Sequence, residues 1–312
     1  LSPHTAAMTE NTDNAPFDPA LGAIEPHAGT LTAPPDGQQL YKIMTIENLL
    51  RSVSGGYLYF NRVDSYKDFR NADGHDGEQL QQDRAANEAA KFERAPDFSG
   101  ADYYDRCRNR TYACCFSLEN SDYIWHEYGN GSAHGKVGIA FDFAKLRAVI
   151  NEIMSVRNGL LYRGNACKQI FSVNYGIVDY LSWEEVRENI DRMPNPIRYT
   201  YVKDKSYADE RELRISLSAI GMGHFVLADG TKMEFAPGLE LGFDYRKAMT
   251  DGTITEVFPG PGCDLDFLRD ELGKLGIDWS DAPVDAPAAP VPVEVKLETD
   301  AANNEVAAGE PL

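Results

Sequence analysis

The sequence predicts a single α+β domain with a mixed, mostly antiparallel sheet and flanking helices. Strand-like stretches outnumber helical ones, and several neighbouring strands are joined too briefly for crossovers. A hydrophobic content of 43% and an aromatic content of 11% supply a substantial core for a chain of 312 residues. The ends read differently. Residues 1–37 hold five acids and no Lys or Arg, and residues 280–312 are rich in Ala, Pro and acids. Too few apolar residues recur there to offset chain entropy, so both are expected to be disordered acidic tails around a core at residues 38–279.

In chain order, "LYKI" at residues 40–43 reads as a short strand. Thr45 is placed to cap a helix carrying Leu49, Leu50 and Val53, which Gly55 and Gly56 stop. "YLYFNRV" alternates as a second strand. A polar loop, "DSYKDFRNADGHDGEQLQQDR", then leads into a polar helix near residues 78–94. "TYACCFSL" is a third strand, and Asp122 is placed to cap a short helix in "DYIWHEYGN". The clearest strand is "KVGIAFDF", where Val137, Ile139, Phe141 and Phe143 face one way. A helix near 142–157 follows it. "IFSVNYGIVDYL" is strand-like, and "SWEEVRENIDRM" has capping-box spacing at its start. "ERELRISLSAI" alternates again, "HFVLADGTKMEF" is a hairpin around Asp229-Gly230, and "ITEVFPGPG" runs into a last helix started by Asp264.

Charge and cysteine usage exclude several classes. The net charge is −19, but the two ends supply most of it, leaving a mildly acidic core. No Lys/Arg-rich run is present to displace counterions, so a broad nucleic-acid-binding surface is not expected. Five cysteines without a CxxC pair argue against a disulfide framework or a zinc site. No apolar run has the length of a membrane span and no signal-peptide core is visible, which points to a cytoplasmic protein without membrane partners.

Two stretches carry candidate chemistry. In "ADERELRISLS", a strand would place Glu210, Glu212, Arg214, Ser216 and Ser218 on one face and Leu213, Ile215 and Leu217 on the other. Two carboxylates and an arginine could hold a sugar hydroxyl and steady a developing positive charge; the same face could equally be solvated, with a surface ion pair of little energetic weight. In "CFSLENSDYIWHEYGNGSAHGKVGIAFDF", Trp125 and Tyr128 share one helical face, as a core pair or as a stacking platform. His134 sits in a Gly/Ser-rich loop, free to act as acid, base or ligand. His126 and His134 are too far apart for the zinc-protease motif, and no metal is expected. The acids of "DSYKDFRNADGHDGE" lack EF-hand spacing and read as a polar loop bordering a cleft.

The ordered series resembles the bacterial and phage family called domain of unknown function 2971. It is carried by Leu40-Tyr41-Lys42, Cys115-Phe116-Ser117, Trp125-His126-Glu127-Tyr128, His134-Gly135, "VGIAFDF", Glu210-Arg211-Glu212-Leu213-Arg214 and "ITEVFPGP", across residues 39–277. The strand layout is also similar to that of ADP-ribosyltransferases, whose first strand offers Arg or His to NAD, the second Ser or Tyr, and the third a catalytic Glu. That resemblance implies an NAD site with Tyr41 or Lys42 on the first strand, Ser117 on the second and Glu212 on the third. Glu210 would position or deprotonate the acceptor, a protein or nucleic acid, and Trp125 or Tyr128 would stack on nicotinamide, with Arg214 nearby. The first position departs from the family pattern, being neither Arg nor His. The implied setting is conflict between phage and bacteria. Two alternatives are a metal-dependent nuclease or hydrolase built on His134, Glu210 and Glu212, and a binding module without catalysis.

Overall fold

The computed structural model describes residues 30–68, 73–155, 160–162, 165–166, 171–183, 195–219, 224–227 and 229–279. The chain begins with β1 (Gln39–Thr45), α1 (Ile46–Gly55), β2 (Tyr57–Arg62), α2 (Gln81–Ala89), β3 (Lys91–Phe92), β4 (Ala95–Ser99) and α3 (Gly100–Arg108). It continues through β5 (Thr111–Ser117), α4 (Asp122–Glu127), β6 (Lys136–Asp142), α5 (Phe143–Ser155), β7 (Leu160–Tyr162), β8 (Asn165–Ala166), β9 (Phe171–Ile177) and β10 (Asp179–Leu181). The last part holds β11 (Val202–Asp204), β12 (Glu212–Ala219), β13 (Phe225–Val226), β14 (Lys232–Met233), β15 (Gly238–Gly242), α6 (Tyr245–Thr250), β16 (Ile254–Pro259) and α7 (Leu265–Lys274).

Local chemistry explains the boundaries. Thr45 accepts the Asn48 amide at the start of α1, and Gly56 ends that helix in the left-handed region at φ 64°. Asp264 caps α7 through the Phe267 amide. Helix α3, which the sequence reading does not include, starts at a full capping box formed by Ser99 and Asp102. The expected helix at 78–94 is shorter, because the chain turns into the β3–β4 hairpin after Ala89. The expected helix in "SWEEVRENIDRM" and the C-terminal tail lie outside the described residues, as do residues 1–29. Residues 30–37, expected to be tail, include Thr32, whose carbonyl accepts the Ile177 amide beside β9.

Among the described residues, ten strands form one antiparallel sheet, which makes the domain α+β as the short connections imply. Its centre is β5. One edge of β5 pairs with β12 along its whole length, from Ser117↔Glu212 to Thr111↔Ser218. The other edge is shared: β1 meets it at Tyr41↔Ser117, and β2 at Asn61↔Ala113 and Arg62↔Tyr112. Strands β1 and β2 therefore diverge, and the sheet forks at Cys114, Cys115 and Phe116. Helices α1, α5, α6 and α7 cover one face through a core that includes Leu49, Leu146, Ile150, Ala248, Leu268 and Leu272. The opposite face of β5 and β12 is covered by the segments around residues 73–80 and 195–210, with a small cluster of Leu80, Tyr199 and Val202. Among the described residues, no helix is long and apolar enough to cross a membrane.

Candidate functional site

Period-two alternation puts Cys115 and Ser117 of β5 and Glu212 and Arg214 of β12 on the face away from the helices, with Cys115 opposite Arg214 and Ser117 opposite Glu212. Tyr41 of β1 is opposite Ser117 on the other side. Tyr41, Ser117 and Glu212 thus form one cross-strand row on three adjacent strands. Above this row and along the fork is a cavity of about 340 Å³, lined by Lys42, Tyr59, Asn61, Tyr66, Tyr123 and Tyr128 among others. Lys42 leans over the Phe116 ring at 5.1 Å and donates to the Cys115 carbonyl at 2.9 Å, which fills part of the fork.

A chain of alternating charges runs up one wall. Arg214 is fully buried and its donors reach Asp76 Oδ1 (2.6 Å) and Oδ2 (3.0 Å), Glu212 Oε1 (2.7 Å) and Oε2 (3.1 Å), and the Thr200 carbonyl (2.6 Å). These five bonds use the full donor set of a guanidinium. Lys203 continues the chain, with its ammonium 3.4 Å from Glu212 and 2.5 Å from Glu210. The remaining Glu210 oxygen accepts the Tyr128 hydroxyl at 2.6 Å, and Tyr128 itself is 41% exposed at the mouth. Asp76 is presented by a loop pinned from outside. Arg108 donates to the Asp76 carbonyl and to Glu78, and the Asp73 carboxylate accepts the Asp204 amide.

Burial favours the protonated form of both glutamates, and their neighbours then separate them. At Glu212 the Arg214 guanidinium and the Lys203 ammonium outweigh burial and hold the carboxyl at about 2. At Glu210 burial is reinforced by the charge of Glu212, so its carboxyl is raised in spite of Lys203. Burial would lower Lys203, but Glu212 and Glu210 outweigh it and keep the ammonium charged. The Cys115 thiol is pushed up by burial and by Glu212, so it stays protonated and is a poor nucleophile. Two carboxyls side by side, one held ionised and one with raised proton affinity, are the arrangement that divides electrostatic and proton-transfer roles.

The structure brings Tyr41, Lys42, Ser117, Tyr128, Glu210, Glu212 and Arg214 to this one cavity. Three expectations are corrected in detail. The charged face of β12 is buried rather than solvated, because residues 73–80 and 195–210 pack across it. Arg214 has no donor left for a ligand and instead fixes Glu212. Glu210 is not in the strand: it ends a 3-10 turn at Lys205–Glu210, and Arg211 then adopts φ 44° before β12 begins.

Two residues are placed elsewhere. His134 stacks on Phe267 with ring centroids 3.6 Å apart and lies 3.5 Å from Asp264, outside the cavity lining. Its loop is tied to Glu47, whose carboxylate takes the Ser132 hydroxyl and the amides of Ala133 and His134. Trp125 packs edge-on against Phe258 and donates to Asn120 Oδ1, also outside the lining. It parts from Tyr128 because α4 ends at Glu127, and Tyr128 is extended at φ −107°, ψ 160°. The trio His134, Glu210 and Glu212 is therefore not a cluster. Among the described residues no group of three His, Cys, Asp or Glu side chains is placed to hold a metal ion.

Sequence reasoning missed Lys203 and the role of Asp76. Lys203 stands in the short run Tyr201-Val202-Lys203-Asp204, and only its position seven residues before Glu210 hints at a partner. Ser117 donates to the carbonyls of Glu119 and Glu210, so its hydroxyl ties the end of β5 to the residue entering β12. Comparison with protein-family models, curated proteins and solved structures finds no match to the chain.

Proposed function

We propose that the cavity is the site of an ADP-ribosyltransferase-like enzyme that uses NAD as substrate. The observation that carries this reading is the single cross-strand row of Tyr41, Ser117 and Glu212 at the base of a cleft where the sheet forks. At about 340 Å³ the cleft is at the lower end of small-molecule pockets, enough for a nicotinamide ring and its ribose.

In the reaction, the bond between the ribose anomeric carbon and the nicotinamide nitrogen breaks, and its electron pair leaves with nicotinamide. The carbon gains positive charge, and the ionised Glu212 is the group in place to stabilise it. The acceptor nucleophile then bonds to that carbon and loses a proton to Glu210, whose raised proton affinity favours that transfer. Arg214 acts through Glu212 as a positioning residue, and Lys203 holds the two carboxylates in register. Tyr128 brings an aromatic face to the mouth. A role in conflict between phage and bacteria belongs to the same reading.

The test is release of labelled nicotinamide from NAD, with protein and nucleic-acid acceptors present. Glu212→Gln should lower it by roughly 10²–10³-fold, the usual scale for removing one transition-state electrostatic partner. Since Glu212 also holds Arg214, circular dichroism must show that the variant is folded. A folded parent protein that releases no nicotinamide with any acceptor class would sink the proposal.

A further inference from the structure

Charge counting along the cavity wall leaves one carboxylate in excess. Asp76, Arg214, Glu212, Lys203 and Glu210 are in direct contact in that order, which gives three acids and two bases, all buried. Arg214 is balanced by Asp76 and Glu212 together, and Lys203 is shared between Glu212 and Glu210. The chain of charges as a whole carries one negative charge in excess, and Glu210, hydrogen-bonded to Tyr128, is its end at the mouth.

Among the described residues, its other neighbours supply no cation. Tyr123, also on the cavity wall, senses the charges of Glu210, of Glu127 on α4 and of Asp209 on the preceding turn. Tyr207 and Tyr180 add phenols, and Tyr128 donates its hydroxyl. Ser117 offers its hydroxyl only to backbone carbonyls. Lys42, the remaining cation of the lining, is engaged at the fork with the Cys115 carbonyl. Arg211 points outward to Glu119. A buried group with one more carboxylate than cations either keeps a proton or accepts a further cation.

We infer that Glu210, Tyr128 and Tyr123 form a subsite for an organic cation of the pyridinium class, and that loading it displaces a proton from Glu210. This deepens the NAD reading by naming the charge state recognised, since the oxidised nicotinamide ring carries a positive charge and the reduced ring does not. The phenol rings at the mouth add cation–π attraction for the same charge. Burial and the charge of Glu212 raise the proton affinity of Glu210, so a bound cation would compete with a proton at this end of the group.

The experiment is calorimetric titration of the full chain with 1-methylnicotinamide, a permanent cation, and with neutral nicotinamide. Each is measured at pH 6 and pH 8, in buffers of different ionisation enthalpy. The cation should bind severalfold more tightly at pH 8, within the linkage limit of about tenfold per pH unit for one proton, and release a proton fraction on binding. Nicotinamide should show neither effect.

Glu210→Gln should abolish the pH dependence. Tyr128→Phe removes a hydrogen bond to the ionised carboxylate, so its pH midpoint should move upward. Equal behaviour of the two probes, no binding by either, or a pH dependence that survives in folded Glu210→Gln would overturn the inference. Proton-linked cation binding without nicotinamide release from NAD would leave the subsite standing and remove the transferase; release without proton linkage would do the reverse.

Discussion

Arg214 carries the energetics of the site at the scale of single residues. A fully buried guanidinium that spends every donor on Asp76, Glu212 and Thr200 is costly to expose to partial loss of partners, and its removal leaves buried Asp76 without a counter-charge and Glu212 with Lys203 alone. Arg214→Met should destabilise the fold by about 3–5 kcal/mol, read from urea denaturation midpoints. Arg214→Lys should recover little, because an ammonium cannot reproduce two bidentate contacts. A loss below about 1 kcal/mol would mean that the wall is held by something else. Alternation in the sequence already put Glu212 and Arg214 on one face. Whether that face meets water or protein depends on what crosses it, and the crossing segments read only as polar loop. Lys203 was invisible for the same reason: its partners are set by packing, not by spacing.

At the scale of elements, two segments behave otherwise than their motifs suggest. The loop with His134 looked like a place for acid–base chemistry, but it is a clamp between α1 and the start of α7. Gly135 sits at φ 90°, and a Cβ there would meet the Gly262 carbonyl oxygen at 2.1 Å. Gly135→Ala should cost about 1–3 kcal/mol in thermal or urea unfolding, combining left-handed strain with the backbone clash. His134→Ala should leave nicotinamide release from NAD within about twofold of the parent, since no catalytic atom is in its reach. A large loss of activity in a folded His134→Ala would return that loop to the site. Helix α4 shows why periodicity alone misled at Trp125 and Tyr128. Three-residue spacing joins two side chains only while the helix lasts, and this one stops between them.

At the scale of the whole molecule, acid should be the weak side. Glu212 has its carboxyl held at about 2, below the ordinary glutamate value of 4.5, so its contribution to stability is fully present above pH 4.5. That contribution drains away as the pH falls from about 4.5 towards 2. Urea midpoints should fall over this window in the parent and fall less steeply in Glu212→Gln; parallel curves would remove Glu212 from the account. The class of fold was legible because alternating strands and brief connections are local signals. The fork was not, because it depends on β1 and β2 sharing one edge of β5, a pairing between residues far apart in sequence.

That fork has a consequence for self-association. A strand edge exposed in mid-sheet is a template for another chain to add to, and many proteins blunt such edges with a lysine. Here Lys42 occupies that position, with its ammonium on the Cys115 carbonyl that an incoming strand would need. An added strand would have to displace that ammonium before it could pair with β5 at the fork.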